Sequence, residues 1–463
     1  MTPEALDSLS KDELKALVLV LDARVAALEA RLAEPPKTSS NSSVPPSKGQ
    51  KANRPEASGK RRGRQGRPGV ARVLCPDPDR TRDVFAEACP KCGTALSPDR
   101  QEPGHVYDHI DLPPIKPVTT RVVLHKGQCP CCKRRVAARP PVDMAPGSPF
   151  GPGIVATVTY LHACQMVSYS RLTEVMGGLF GLTFSEGAIA NMLRRAARPF
   201  AVEADVIAEI VRASPVIASD ETSARVCGKT WWQWVFAAAQ AVLHVIVPMR
   251  GKCVPTEFLA GAKPDVWISD RLAAQGNHGQ AHQVCLAHLI RDAQYAIDVP
   301  RKLASEAGDT IFAPAFKSFL QRACAIGRRR PELTDATIKA HAREFGRERD
   351  RVLGLPATVT AGAELRASVS VRAREKLLVF MTRRDVEPTN NVSEQALRSR
   401  GSSLPSMSVI FRRVTNGFRS VWGAESYADI RSIVATGQLH GRSPLSSIRA
   451  ALTASSAPEA APA

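Results

Sequence analysis

Three acidic residues far apart in the chain have the residue types and local settings of a metal-dependent phosphoryl-transfer site. Asp220 closes the apolar run Pro215-Val-Ile-Ala-Ser, Asp270 closes Val266-Trp-Ile-Ser, and Glu394 comes early in a predicted helix. Mg²⁺ prefers oxygen ligands and is usually shared between protein carboxylates and substrate phosphates. Two strand-end carboxylates joined by a later helical one therefore predict a two-metal site that cuts or joins nucleic acid strands.

The same residues also have an ordinary structural interpretation. Asp220 and Asp270 can be turn residues that follow strands, and Glu394 can be the N3 partner of a capping box that begins at Asn391. Isolated Asp and Glu residues are mostly solvated surface groups. Spacing alone leaves both interpretations open, so the elements that position the three carboxylates have to decide between them.

The elements predicted around the first two carboxylates have the order β-β-β-α-β. Residues 216–218 lead into Asp220, strands follow at 231–239 and 242–248, and Gly228-Lys229 forms a hairpin turn between the first two strands. A helix at 254–260 and a strand at 266–269 complete the series. This is the ribonuclease-H-like order, and it places Asp220 on the central strand with Asp270 beside it.

Composition indicates a polyanionic partner. The 463 residues carry a formal net charge of +19, with a pI near 9.8, and Lys and Arg gain affinity by releasing counterions from phosphates. Charge alone does not distinguish DNA from RNA or a membrane surface. The sequence has no N-terminal signal pattern and no apolar run of about 18 residues or more. We therefore expect a soluble, cytoplasmic, nucleoid-associated protein with no membrane partner.

The N-terminal segment, residues 1–34, has the apolar spacing of a short coiled-coil helix. Steps of four and three residues separate its apolar positions, which are Leu14, Val18, Leu21, Val25, Leu28 and Leu32. Pro35-Pro36 ends the pattern. The favoured interpretation is an oligomerisation helix, and the alternative is an amphipathic helix packed on its own domain.

Residues 35–72 are rich in Ser, Pro, Gly, Lys and Arg and are predicted to form a disordered basic linker. Within it, arginines alternate with Gly and Pro in a pattern that resembles an AT-hook, whose arginines enter narrow minor grooves. The candidate DNA-binding residues are Arg61, Arg62, Arg64 and Arg67. A basic tether that only improves solubility is the alternative.

Paired cysteines between residues 73 and 140 predict a small structural zinc module. Two Cys-x-x-Cys turns can supply four thiolates to a closed tetrahedral site, and their residues are Cys89, Cys92, Cys129 and Cys132. The metal would replace a hydrophobic core too small to hold this segment together. Remaining thiols and possible alternative ligands are Cys75, Cys131, His105, His109 and His125.

Residues 141–205 are predicted to be helical and to resemble a helix-turn-helix. A Gly-rich turn precedes Ser185, the predicted N-cap of a second helix that carries Arg194 and Arg195 near its end. Many helical hairpins of this kind only pack within their domain, so DNA binding and plain packing both stand.

Several motifs in order along the chain resemble those of insertion sequence 66 family transposases. They are Ser219-Asp-Glu-Thr222, Ile268-Ser-Asp270, His282-Gln-Val-Cys285-Leu-Ala-His288-Leu-Ile-Arg291-Asp292, Glu387-Pro-Thr-Asn-Asn-Val-Ser-Glu394-Gln-Ala-Leu-Arg398 and Val409-Ile-Phe-Arg-Arg-Val-Thr-Asn-Gly-Phe-Arg-Ser420. The resemblance covers nearly the whole chain, including the leader helix, the linker and the paired cysteines.

The resemblance implies a multidomain α/β protein with a ribonuclease-H-like core and the DDE residues Asp220, Asp270 and Glu394. Family members cleave the ends of their own element to expose 3′-hydroxyls and attack target DNA with them. Two Mg²⁺ or Mn²⁺ ions would serve that reaction, beside the structural Zn²⁺. The implied partners are the terminal repeats, target DNA, further copies of the chain, and helper proteins where the same element encodes them.

The resemblance also divides the second half of the chain. The core's first part spans 206–276, a helical insertion spans 277–385, the core's second part with the Glu394 helix spans 386–425, and C-terminal helices with a disordered tail span 426–463. Cys285-x-x-His288 lies in the insertion, where either metal binding or helix packing explains it. Arg398, one turn after Glu394, is predicted to hold a DNA phosphate or to pair with Glu394.

One departure from the family pattern leaves more than one function open. About eight residues around 400–407 intervene between the Ala-Leu-Arg after Glu394 and the Val-Ile-Phe-Arg segment, and they include a Gly and a Pro that end the helix. An active transposase and an impaired relative that binds element ends as a repressor both fit. A different ribonuclease-H-like nuclease, which cuts without joining, is the third interpretation.

Overall fold

The N-terminal part of the structure contains one helix and one small hairpin. The computed structural model describes residues 10–33, 72–298 apart from 114, 142–143 and 145–146, 308–397 and 417–454. Helix α1 spans Lys11–Ala33, and strands β1 (Lys126–Gln128) and β2 (Arg135–Ala137) pair antiparallel. Of the described residues between 72 and 141, none is buried. This segment therefore has no apolar core of its own.

A helical hairpin with its own small core follows. Helix α2 (Pro152–Thr159) continues through a π-helical turn, α3 spans Tyr169–Phe180 and α4 spans Glu186–Arg212. The Ser185 hydroxyl accepts a hydrogen bond from the Ala188 amide and caps α4, as its position in the sequence predicts. Apolar side chains from the three helices form the hairpin core, among them Val158, Leu172, Met176, Ile189 and Leu193.

A five-stranded mixed sheet follows the helical hairpin. Its elements in chain order are β3 (Val216–Val226), β4 (Lys229–Ala237), β5 (Val242–Val247), helix α5 (Cys253–Leu259), β6 (Val266–Ser269) and β7 (Ala281–Val284). The spatial order is β5-β4-β3-β6-β7. The hairpins β3–β4 and β4–β5 are antiparallel, whereas β6 and β7 run parallel to β3. The central strand is therefore β3.

Side-chain alternation along the strands gives the sheet two apolar faces. Ile217, Trp234 and Trp267 belong to one core, while Ala218 and Ile268 belong to the core on the opposite face. Successive strand residues point to opposite faces, so a strand buried on both sides has an almost continuous apolar sequence. The sheet is the middle layer of three, with helices on either side.

The remaining helices complete the two outer layers. Between β7 and the end of the described chain lie α6 (Leu286–Asp298), α7 (Phe312–Arg329), α8 (Asp335–Leu353), α9 (Thr360–Arg372), α10 (Asn391–Leu397), α11 (Val421–Leu439) and α12 (Pro444–Ala454). Helices α6 to α10 cover one face, and α4, α5, α11 and α12 cover the other. Among the described residues, every helix is too short or too polar to span a bilayer.

The structure differs from the sequence prediction at two strands. β3 extends to Val226 because it pairs with β4 along nearly its whole length, from Ala218 opposite Ala237 to Val226 opposite Lys229. β7 lies inside the range 277–385, which the sequence predicts to be helical, because its register with β6 from Val266 opposite Ala281 adds a parallel edge strand. The core sheet thus has five strands, one more than the motif order gave.

The chain returns to the end of the central strand after the Glu394 helix. Phe418 donates its amide to the Arg225 carbonyl, with 2.8 Å between N and O, and accepts a hydrogen bond from the Cys227 amide at 2.8 Å. The side chain of Phe418 is buried in the same core as Tyr427 of α11. This contact attaches the entry to α11 to the far end of β3.

Candidate active site

Asp220 lies within the central strand, in contrast to the strand end that the sequence predicts. It is opposite Val235 in the β3–β4 ladder, between the buried Ser219 and Glu221. Its Oδ1 accepts a hydrogen bond from the Glu221 amide at 2.9 Å. At Asp220 the strand pairs with β4, and its pairing with β6 ends two residues earlier, at Ala218.

Asp270 is the first residue after β6, as the sequence predicts. β6 is parallel to β3, with Ala218 opposite Ile268, so Asp270 lies two residues beyond that pair, level with Asp220. Its Oδ1 accepts a hydrogen bond from the Leu272 amide at 2.9 Å. The two aspartates therefore lie side by side, on β3 and directly after the adjacent parallel strand β6.

Glu394 lies in the first turn of α10, whose N-terminal end is joined to the sheet by Asn390. The Asn390 side-chain amide donates to the Ser219 carbonyl at 2.7 Å, and the Asn390 carbonyl accepts from the Glu394 amide at 3.1 Å. At the other end of α10, buried Arg431 donates to the Ala396 carbonyl at 3.1 Å. Both ends of this seven-residue helix are thus fixed.

Asp270 and Glu394 are close enough to Asp220 to affect its ionisation. The pKa of Asp220 lies well above its usual range, chiefly because the group is desolvated and then because Glu221, Asp270 and Glu394 are negative. Desolvation, followed by the charge of Glu221, raises the pKa of Asp270 to about 6. A cation bound among these groups would favour their charged forms over their protonated forms.

Glu221 is a fourth carboxylate at the site, and sequence reasoning gave it no role. Arg250 donates to its Oε1 at 2.8 and 3.1 Å, and Gln275 donates to its Oε2 at 2.9 Å. The Arg250 guanidinium also stacks over Trp232, 4.4 Å from the ring centroid. Both Glu221 oxygens therefore accept hydrogen bonds from protein donors. The only sequence signal was a second acid inside a strand.

Asp220, Asp270 and Glu394 offer carboxylate oxygens, which are the ligands that hard divalent cations such as Mg²⁺ prefer. In the described part of the chain, one oxygen from each does not come within 4.8 Å of the other two. The remaining ligands of such a cation would be water and substrate oxygens.

A second group of metal-binding atoms adjoins the carboxylates. One ligand atom from each of Cys285, His288 and Glu394 lies within 4.8 Å of the others. His288 Nδ1 is 3.8 Å from Glu394 Oε1. Cys285 Sγ accepts a hydrogen bond from the Asn390 amide at 3.2 Å. Among the residues that the structure describes, this is the only group of three or more such ligands.

The two cysteine turns of the N-terminal part have the same backbone structure. The Cys89 N–H donates to the Thr94 carbonyl, and the Cys89 carbonyl accepts from the Gly93 N–H. In the second turn the Cys129 N–H donates to the Arg134 carbonyl, and the Cys129 carbonyl accepts from the Lys133 N–H. All four N–O distances are 2.9 Å. Gly93 and Lys133 both have positive φ, 72° and 59°. In the described structure the four cysteines do not converge into one ligand group.

Other predicted site residues fall in different places. Arg398, the arginines of the basic arm (Arg61, Arg62, Arg64 and Arg67), the insertion at 400–407 and the C-terminal tail lie outside the described residues. In the helical hairpin, Arg195 donates to the Gly147 carbonyl at 3.0 Å, and Arg194 lies over Trp422, 5.3 Å from its ring centroid. These two arginines therefore make contacts within the protein.

One comparison with known proteins identifies a family. The family model described as Transposase IS66 family matches residues 147–426, which is more than half of the chain. The matched range includes all three acidic residues and Asn390, and it begins after the cysteine turns. No curated protein matches the chain.

Proposed function

The chain belongs to the IS66 family of transposases, and from that premise we propose that it is a DDE transposase acting on the ends of its own insertion sequence. It cleaves DNA to free 3′-hydroxyls and joins them to target DNA. Asp220, Asp270 and Glu394 are the catalytic residues, and they hold two Mg²⁺ or Mn²⁺ ions.

The observation that carries this proposal is that two carboxylates from separate elements, Asp270 and Glu394, lie near enough to Asp220 to raise its pKa. Asp220 comes from β3, Asp270 from the loop after β6, and Glu394 from a helix more than one hundred residues later in the chain. The charges of Asp270 and Glu394 contribute to the raised pKa of Asp220, after its burial and Glu221, whereas burial and the charge of Glu221 raise the pKa of Asp270. A fold retains such mutual repulsion where a bound cation relieves it, and this supports a metal site over three unrelated surface acids.

Each residue has a distinct task in this site. Asp220 presents its carboxylate from the central strand, and Asp270 presents one from the adjoining strand end. Asn390 sets the position of Glu394 relative to β3 through the Ser219 carbonyl. When bound, the metal ions would activate the attacking water or 3′-hydroxyl and stabilise the leaving oxygen of an in-line displacement. No covalent protein nucleophile is needed.

We propose that Cys89, Cys92, Cys129 and Cys132 hold a structural Zn²⁺. Two observations support this: the two cysteine turns share one hydrogen-bonding pattern, and the described residues around them bury no apolar core. The pKa of Cys92 is lowered to about 7, chiefly by a hydrogen bond to the Thr94 hydroxyl. Backbone amides of Cys132 and Cys131 lower the pKa of Cys129. Lowered thiol pKa values favour the thiolates that bind zinc.

We also propose that the chain acts as a homo-oligomer on DNA. On helix α1, the predicted seam residues Val18, Leu21 and Val25 are exposed, each with more than half of its surface accessible. Pairing with a second copy would remove this apolar stripe from water. The basic arm, Arg398 and the helical hairpin remain the proposed DNA contacts, and helper proteins from the same element remain proposed partners.

The test is cleavage and strand transfer on a labelled duplex that carries the element's own end. Wild type is compared with Asp220→Asn, Asp270→Asn and Glu394→Gln, and the control is Asp265→Asn at the other end of β6, where the side chain pairs with Arg383. Gel-shift binding is measured in parallel. The proposal expects Mg²⁺-dependent cutting that the three site variants lose and the control keeps, with DNA binding intact throughout.

Two results would favour the other interpretations. Binding without cutting in the wild type, with cutting regained when residues 400–407 are deleted, would identify an impaired, DNA-binding relative. Cutting without strand transfer and without preference for element ends would identify a nuclease.

A further inference from the structure

The junction between β7 and α6 brings a thiol and an imidazole against the catalytic glutamate. Cys285 follows the last residue of β7, and His288 lies in the first turn of α6. Their ligand atoms and a Glu394 carboxylate oxygen lie within 4.8 Å of one another. Cys285 is buried, whereas the side chains of His288 and Glu394 are 14% and 12% exposed. The facing atoms of the latter two, His288 Nδ1 and Glu394 Oε1, are themselves buried.

Backbone N–H groups donate to the Cys285 sulfur, although its burial and the charge of Glu394 favour the neutral thiol over the thiolate. Burial raises the pKa of the Cys285 thiol to about 12, but backbone N–H groups of Asn390, His288 and Ala287 donate to the sulfur and oppose that rise. The amides two and three residues after the cysteine thus point at its sulfur. Cys129 has the same arrangement with the amides of Cys131 and Cys132. Amide donors of this kind stabilise the charge that a thiolate keeps when it binds a cation.

The ligand set selects the class of cation. A thiolate and an imidazole prefer borderline or soft ions such as Zn²⁺, whereas Mg²⁺ prefers oxygen ligands and waters. Three protein ligands leave one position of a tetrahedral ion open to water or a phosphate oxygen. Cys285, His288 and Glu394 therefore make an open zinc-type site, unlike the closed site proposed for the four N-terminal cysteines.

We propose that Cys285, His288 and Glu394 bind a thiophilic divalent cation, Zn²⁺ or a close analogue, and that this ion withdraws Glu394 from the magnesium site. Binding releases the Cys285 proton to solvent and creates a sulfur–metal bond. The inhibitory consequence rests on the proposed function, whereas cation binding itself does not. The site makes the transposition chemistry sensitive to the balance between zinc and magnesium.

The first experiment measures binding alone on the full chain. Co²⁺ replaces Zn²⁺ as a spectroscopic probe, because a thiolate bound to tetrahedral cobalt gives a sulfur-to-metal charge-transfer band. Wild type is compared with Cys285→Ser and His288→Asn. The control is Cys324→Ser, since Cys324 is also buried with a raised thiol pKa but lies in α7. Zinc per chain is measured on the same samples after dialysis.

The proposal expects wild type and Cys324→Ser to bind one more ion per chain than Cys285→Ser. The affinity for that ion falls by roughly 10-fold or more in His288→Asn. The N-terminal cysteines contribute equally to all four proteins, so they cancel in the comparison. Equal metal content and equal cobalt spectra in Cys285→Ser and Cys324→Ser would overturn the proposal. Circular dichroism checks folding, and His288→Asn decides the matter if Cys285→Ser is unfolded.

The second experiment addresses competition. Zn²⁺ is titrated into the DNA-cleavage reaction at fixed Mg²⁺, and each protein is compared with its own zinc-free rate. Wild type and Cys324→Ser should be inhibited at concentrations about 10-fold lower than Cys285→Ser. Equal zinc inhibition of wild type and Cys285→Ser would show that the ion does not compete with magnesium, but it would not contradict cation binding at Cys285. A wild type that binds cobalt through Cys285 but never cuts DNA would contradict the proposed function instead.

Discussion

The side-chain amide of Asn390 donates a hydrogen bond to the backbone carbonyl of Ser219, with 2.7 Å between nitrogen and oxygen, and both residues are buried. Ser219 immediately precedes Asp220, and the Asn390 carbonyl accepts from the Glu394 amide. One side chain therefore sets the distance between two of the three carboxylates. We regard Asn390 as a positioning residue because it acts on the metal site through the backbone.

Replacing Asn390 by Ala should lower strand cleavage more than DNA binding. The Ser219 carbonyl would lose its partner inside the protein, at a cost of about 1–3 kcal/mol in the free energy of unfolding. Displacement of Glu394 by as little as about 1 Å should reduce the cleavage rate about 100-fold. Denaturant unfolding and single-turnover cleavage measure the two effects. Asn391→Ala, at the adjacent exposed asparagine, is the control and should match wild type in both assays.

Replacing Arg250 by Ala should shift Mg²⁺ binding toward higher pH. Arg250 lowers the pKa of Asp270, which desolvation and Glu221 raise to about 6. Without the guanidinium that pKa rises further, so Asp270 stays protonated to a higher pH and binds Mg²⁺ less well in mildly acidic solution. Calorimetric titration with Mg²⁺ across a pH series checks this. Arg250→Lys should recover most of the shift, Lys252→Ala should show none, and an unchanged pH profile in Arg250→Ala would contradict the expectation.

Asp429 gives the protein a stability that falls as pH rises. Desolvation, then the charges of Asp205 and Glu425, raise the pKa of Asp429 from 3.8 to about 7. The folded state holds this proton more tightly than the unfolded state. The loss of stability from ionising Asp429 is therefore absent below the unfolded-state pKa and complete above the folded-state pKa. Asp429→Asn should stabilise the protein by on the order of 2 kcal/mol above about pH 7 and leave it unchanged near about pH 4. Unfolding curves at the two pH values provide the measurement, with exposed Asp83→Asn as control.

Gly279 should not tolerate a side chain. A Cβ placed there would lie 2.7 Å from the Ala281 carbonyl oxygen and 2.8 Å from the Trp267 amide nitrogen. Both atoms belong to backbone in β6 and β7, which cannot move apart without disturbing the strand that leads to Asp270. Gly279→Ala should lower the free energy of unfolding by about 2 kcal/mol or more.

Gly178→Ala is the matched control for that substitution. Gly178 lies in α3, and no atom lies within 4 Å of the position its Cβ would take. Ala is a better helix former than Gly, so this variant should gain about 0.5–1 kcal/mol. Thermal unfolding of both variants tests the pair, and similar melting temperatures would contradict the packing argument.

The strands near the carboxylates could be predicted from the sequence because the patterns that indicate them are local. The apolar run before Asp270 forms a short strand that ends where the polar residue begins, and Gly228 occupies the β3–β4 turn with φ of 75°. The placement of Asp220 was less accurate. β3 continues through Thr222 and Ala224 because β4 pairs with it, and cross-strand pairing is a non-local interaction that a polar stretch of sequence does not reveal.

The residues that support the site were harder to predict for the same reason. Glu221 meets Arg250 and Gln275 only because the sheet brings together segments 29 and 54 residues away. The sequence did not predict β7 because this strand contains polar residues. Its buried Gln283 donates to the Leu377 carbonyl and accepts from the Phe380 amide, both in the segment after α9. Such compensation depends on the completed fold. Family resemblance marked these segments, but geometry was needed to give their residues roles.

The attachment of Phe418 to the end of β3 bears on the cost of lengthening the chain before it. Leu397 is buried at the end of α10, and Phe418 bonds to the backbone of Arg225 and Cys227, so the two borders of residues 398–416 are held by different parts of the core. The entropic cost of closing a loop between two fixed ends grows only slowly with its length. A change of a few residues between these borders should therefore change the free energy of unfolding little.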